Sequence, residues 1–110
     1  MDKLDLSSFK KRIFTSFLDF LILANISKKE PLSGYDILML VHNTYEMKLS
    51  PSIVYYTLKK MENKGLITSL AYPRKKTYLL TDKGIKTMHH IPNWIDDIQE
   101  FIKSLVKEIV

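Results

Sequence analysis

The sequence predicts a mainly α (α+β) domain in which a single β-hairpin interrupts a run of helices. Three observations carry that expectation. Apolar residues recur at three- and four-residue steps over residues 6–28, 35–45, 54–61 and 88–109. Between the last two runs the period drops to two, with Leu66, Thr68, Leu70 and Tyr72 alternating against Ile67, Ser69 and Ala71. The boundaries carry residues that start or stop helices: Ser33, Ser50 with Pro51, Gly65, and Thr81 with Asp82. At 110 residues the chain makes one domain, 1–110, with a core of modest size.

Residues 6–28 read as one helix. Phe9, Ile13, Phe17, Phe20, Leu21 and Ala24 form its stripe, and Leu18, Ile22 and Leu23 widen it nearly all round. A helix that apolar is central to a small core or shared with a second chain. Lys10, Lys11 and Arg12 near its start form a solvated turn or a phosphate contact. Pro31 ends the next connection. Ser33 then caps a second helix with Asp36 three positions on, the spacing of a capping box. Gly34 in its first turn admits a close approach, by a packed helix or by a phosphate.

Residues 46–49 connect to a third helix whose two ends are both written locally. Ser50 is the N-cap, Pro51 sits at the first helical position, and Leu49 and Val54 have the spacing of a hydrophobic staple. Gly65 closes the helix, bringing Leu66 back toward Met61. At 100° per residue Val54, Leu58 and Met61 fall within about 60° of one another and face the core. The opposite face carries Ser52, Tyr56, Lys59 and Asn63, flanked by Tyr55 and Lys60. Glu62 falls toward the buried side, so no carboxylate is expected on this face. Such a face suits a polyanion, although taken alone it is also what an ordinary solvated helix presents.

Strands are expected at 66–72 and 76–80, around a turn of Pro73, Arg74 and Lys75. Arg74, Lys75 and Lys76 then ride on the hairpin tip, as a phosphate or minor-groove contact or as a solvated loop. Thr81 starts a last helix. Its apolar positions Met88, Ile91, Ile95, Ile98, Ile102, Leu105 and Ile109 are spaced alternately three and four, a heptad seam. Pro92 should kink this run or start a new helix. The seam is longer than one small core needs. Ile91, Trp94, Ile95, Ile98, Phe101, Ile102, Leu105 and Ile109 are therefore expected to form a homodimer interface, the alternative being a fold-back on the first helix.

Charge is unevenly spread. Residues 48–86 hold nine Lys/Arg against two Asp/Glu, whereas residues 1–47 balance at six each. A basic excess confined to the third helix and the hairpin is the asymmetry of a nucleic-acid footprint. The chain has no cysteine, which excludes disulfides and thiolate metal sites and is compatible with a reducing cytosol. The apolar run from Ile13 to Ile26 is too short to span a bilayer, and no signal-peptide cleavage site follows it. An enzyme is not expected, since phosphate loops and nucleophile elbows are absent and the adjacent His89 and His90 point about 100° apart on a helix. No metal and no cofactor are expected.

Helix, helix, basic helix, hairpin and long helix is the order of a winged helix-turn-helix with a two-stranded wing and a C-terminal dimerisation helix. PLSGYDI (31–37), SPSIVYYTLKKMENKGLI (50–67) and RKKTYLLTDKG (74–84), with the apolar tail, resemble the PadR-like transcriptional regulators over nearly the whole chain. The resemblance implies a homodimeric DNA-binding repressor, with 1–80 as DNA-binding core and 81–110 as dimerisation helix. It places Ser50, Ser52, Tyr55, Tyr56, Lys59 and Lys60 on the recognition helix, Arg74, Lys75 and Lys76 on the wing, and Tyr35 beside the turn. Asn63 joins them from the helical wheel. Because the chain stops after one C-terminal helix it looks like the family's short type. Two further expectations stand beside this one. Exposed Tyr55 and Tyr56 would also suit RNA, other unpaired bases, or a protein partner. Trp94 near the seam would receive a flat aromatic effector, unless it fills the core as most tryptophans do.

Overall fold

A computed structural model describes residues 5–71 and 75–109. Its helices are α1 (Leu6–Ser16), α2 (Leu18–Lys28), α3 (Gly34–Asn43), α4 (Pro51–Asn63), α5 (Asp82–His90) and α6 (Ile95–Lys107), with a 3-10 turn at Ile91–Trp94. The strands are β1 (Leu32–Ser33), β2 (Ile67–Ala71) and β3 (Lys76–Leu80). Leu18, Ile22, Leu23 and Ile26 of α2 lie at the centre of the core, with Ile37 and Val41 of α3 and Val54, Leu58 and Met61 of α4 around them.

The single first helix expected over 6–28 is two helices, broken at Phe17, whose φ of −98° and ψ of 6° are not helical. The hydroxyls of Thr15 and Ser16 bond back to the carbonyls of Lys11 and Arg12, a pairing that bends helices. The break redirects the apolar residues. α2 is buried in the core, while α1 has no buried residue and leaves Leu6, Phe9 and Ile13 exposed. Counting the extra helix, the basic helix is α4.

The sheet has three strands rather than two, in the order β1-β3-β2. Leu32 and Ser33 pair antiparallel with Tyr78 and Thr77 before Ser33 caps α3. The hairpin register sets Ile67 against Leu80 and Ala71 against Lys76. Ile67 turns inward, while Leu70 is exposed.

The last helix is also divided. Pro92 occupies the 3-10 turn, and α5 and α6 lie on either side of it. Met88 and Ile91 pack against the core of the chain, but beyond the turn no residue of α6 is buried. Ile95, Phe101, Ile102, Leu105, Val106 and Ile109 stand exposed along it. The fold-back alternative therefore fails for α6, whose main neighbour in the chain is the 3-10 turn. The projection is visible in the dimensions: the radius of gyration is 15.8 Å, against about 13 Å for a compact chain of this length. Among the described residues no helix is long and apolar enough to cross a membrane.

Candidate nucleic-acid interface

α4 is fixed at both ends by the chemistry its sequence announced. The Ser50 hydroxyl accepts the Ile53 N–H at 3.3 Å, and Pro51 begins the helix. At the far end Gly65, at φ +76°, allows its own N–H to reach the Glu62 carbonyl and the Leu66 N–H to reach that of Met61, both at 3.0 Å. This double bond pattern is a Schellman stop. Leu49 and Val54 are both buried, so the chain enters the helix pinned to the core.

A second device holds the same end from outside. Thr81, the N-cap of α5, donates its hydroxyl to the Gly65 carbonyl, and the Lys83 ammonium caps the Lys64 carbonyl at 2.7 Å. The Thr81 N–H bonds to the Leu66 carbonyl at 3.2 Å. Gly84 lies directly on that carbonyl, where a Cβ would overlap the oxygen. The TDKG segment thus clamps the start of α5 onto the end of α4. Sequence reading singled out neither Lys83 nor Gly84; a glycine three residues into a helix is the one local sign of such an approach.

With its buried side set by Val54, Leu58 and Met61, α4 exposes Ser52, Tyr55, Tyr56, Lys59, Lys60 and Asn63. Lys60 stands 4.9 Å over the Tyr56 ring, which orients both side chains. Tyr35, Tyr55, Lys59, Asn63, Lys75 and Lys76 line one groove between the start of α3, the outer face of α4 and strand β3. Ser52, Tyr56 and Lys60 on α4, and its N-cap Ser50, lie outside that lining. Gly34 serves close packing: the Tyr55 ring lies where its Cβ would be. Arg74 lies outside the described residues.

One expectation about charge is corrected. Glu62 is not withdrawn to the buried side. Its side chain reaches the groove, accepts the Ser69 hydroxyl and pairs with Lys76 at 3.3 Å. The Ser69 hydrogen bond, helped by Lys76 and Lys59, holds its carboxyl below the usual glutamate range. The exposed wing lysines have carboxylate neighbours. Lys75 approaches Asp36 at 3.9 Å, and Asp36 is itself held low mainly by the Ser33 N–H it accepts at 2.9 Å. The groove is therefore basic along α4 and charge-paired where the wing meets it.

Behind this surface, Trp94 packs edge-on against Phe20 at 5.9 Å and remains 40% exposed. His89 and His90 are exposed on α5, and no cluster of possible metal ligands occurs among the described residues.

A capped helix behind a helix-turn, flanked by a hairpin, defines a winged helix-turn-helix. The model of the PadR-like family of transcriptional regulators matches residues 22–90, and the chain belongs to that family. The family consists of transcription regulators, not enzymes. Among solved structures, a PadR family regulator from Clostridium difficile R20291 is 29% identical, with 84% of this chain and 97% of that one covered at a TM-score of 0.62. One from Eggerthella lenta DSM 2243, at 19% identity, shares the fold with a TM-score of 0.73 over 92% and 91% of the two chains. Bacillus subtilis PadR, solved in complex with operator DNA, is 32% identical, with a TM-score of 0.61 over 71% of this chain and 46% of that one. No curated protein matches significantly.

Proposed function

We propose that the protein is a cytoplasmic, sequence-specific regulator of double-stranded DNA, a repressor that binds a palindromic operator as a homodimer. The observation that carries this reading is the exposed face of α4, where hydroxyl, amide and ammonium groups project from a helix locked at both ends. Such a helix enters the major groove. Tyr56, Lys59, Asn63 and Ser52 then read base edges, while Ser50, Tyr35, Tyr55, Lys60 and the wing residues Arg74, Lys75 and Lys76 contact the backbone. That the B. subtilis relative binds operator DNA supports the assignment.

The open apolar face of α6 supports the dimer. Ile95, Phe101, Ile102, Leu105 and Ile109 are 49–83% exposed, a stripe that a second copy of α6, with the exposed Leu6, Phe9 and Ile13 of α1, would cover. Trp94 and the partly buried Ile98 continue the stripe, while Ile91 anchors its base in the core. The dimer would set two α4 helices about 34 Å apart, one turn of duplex. A flat aromatic effector would stack on the open side of Trp94. Its test is quenching of indole fluorescence by planar cations, and a broad panel without effect removes it.

Selection of bound sequences from random duplex DNA tests the main reading, with an enriched two-fold symmetric site as the expected result. Lys59→Ala should then weaken binding to that site more than to random duplex. Preferential retention of single-stranded competitors would favour an RNA or unpaired-base partner instead, and unchanged affinity in Lys59→Ala would show that this face is not the reader.

A further inference from the structure

The groove beside α4, which forms part of the proposed DNA interface, also contains a carboxylate. Glu62 lies on α4 between Lys59 and Asn63, and both of these line the same groove. An ordinary surface glutamate would swing away from an approaching phosphate. Glu100 on α6, 78% exposed and held only by a 4.0 Å approach of Lys103, has room to do so. Glu62 is only 30% exposed, and three elements converge on it: its own helix, Ser69 of β2, whose hydroxyl it accepts, and Lys76 of β3. Moving it would break the Ser69 bond and release Lys76.

A carboxylate fixed in this way has two effects on any duplex entering the groove. It repels phosphate oxygens, which weakens the sequence-independent attraction that all DNA shares. It also keeps the Lys76 ammonium occupied, so that a phosphate must compete for it. A base edge meets a different reception, because an amino group of cytosine or adenine is a donor that a carboxylate accepts. From these contacts we infer that Glu62 is a specificity-determining residue, a fixed negative charge that suppresses backbone-only binding and leaves base-directed binding in place. Discrimination then comes partly from repelling the wrong partner. The inference rests on the reading of this groove as a DNA interface.

Glu62→Gln tests it, since the amide oxygen still accepts the Ser69 hydroxyl while the charge is gone. Affinity for random-sequence duplex should rise about five-fold at low salt, and the slope of log affinity against log salt should steepen by about one phosphate contact. Affinity for the selected operator should rise less, so the ratio of the two falls. Adding Lys76→Ala to Glu62→Gln should return the salt slope to its original value, whereas Glu100→Gln should change neither DNA. An unchanged random-duplex affinity in Glu62→Gln, with Lys59→Ala still weakening the operator, overturns the inference alone. An equal rise on both DNAs overturns it too, because Glu62 would then be a uniform repulsion. If the original protein shows no preference for duplex and Lys59→Ala has no effect, the DNA reading fails and takes the inference with it.

Discussion

Gly34 and Gly84 offer a paired test of how α4 is held. A Cβ at either position meets a neighbour well inside contact distance, but the neighbours differ in kind. At Gly84 it overlaps the Leu66 carbonyl oxygen, with the carbonyl carbon at 3.1 Å. Backbone cannot rotate aside, so Gly84→Ala must push α5 away from the end of α4. That strains the Thr81 N–H bond to Leu66, the Thr81 hydroxyl bond to Gly65 and the Lys83 bond to Lys64. Overpacking of this kind costs about 1–3 kcal/mol, and each weakened hydrogen bond adds about 1 kcal/mol. The gain of about 1 kcal/mol from replacing glycine in a helix offsets part of this. The net loss should be about 3–5 kcal/mol, a fall in Tm of roughly 12–20 °C for a domain this size. At Gly34 the obstacle is the Tyr55 ring, whose Cζ would lie at 2.9 Å. That ring is 47% exposed and can turn outward. Gly34→Ala should therefore change stability by less than about 1 kcal/mol, while displacing Tyr55 and weakening operator binding. Chemical denaturation followed by circular dichroism, at one fixed protein concentration, measures both. Equal destabilisation by the two substitutions, or a neutral Gly84→Ala, would refute the reasoning.

Other consequences are as direct. Leu105→Glu places a charge on the exposed face of α6, where the single chain should tolerate it within about 0.5 kcal/mol; sedimentation should nonetheless show monomers, and a persistent dimer would move the interface elsewhere. Thr81→Val removes both the α5 cap and the bond to Gly65, and should cost about 1–2 kcal/mol. The carboxyls of Glu62 and Asp36 are held below their ordinary values of 4.5 and 3.8. Their stabilisation is therefore complete above those values and is lost as pH falls through the lower folded ones. Glu62→Gln should show a shallower acid loss of stability than the original chain, and identical profiles would remove the Ser69 and Lys76 contacts from the account. Arg74→Ala should weaken operator and random duplex alike and flatten the salt dependence; unchanged binding would take the wing tip out of the interface.

Which parts of this arrangement were legible in the sequence follows from how far apart the interacting residues lie. Ser33 with Asp36, Ser50 with Pro51, Gly65, and Thr81 act within one turn of chain, so the start of α3, both ends of α4 and the start of α5 could be read directly, whereas α3 stops at Asn43, short of the Tyr45 its periodicity reached. The heptad seam was legible as spacing, and Pro92 as an interruption. The break at Phe17 was not, because an apolar run of this density fits one helix or two. The pairing of Leu32 with Tyr78 and the bond from Lys83 to Lys64 join residues far apart in sequence, and no local pattern encodes them. Glu62 shows a different limit. A helical wheel gives the direction of the Cβ, but a glutamate is long enough to leave that direction when a hydroxyl and an ammonium wait at the groove.

The clamp at TDKG makes α4 and α5 behave as one lever. Thr81 and Lys83 bond to the Gly65 and Lys64 carbonyls just past α4, and Gly84 is seated on Leu66, so the joint is closely packed. A tilt of α5 must therefore carry the end of α4 with it. The next point along the chain where the helical path changes is the turn at Ile91–Trp94, which leads into the exposed α6. A partner settling on the open face of α6 would therefore be connected to Lys59 and Asn63 through α5 and this joint.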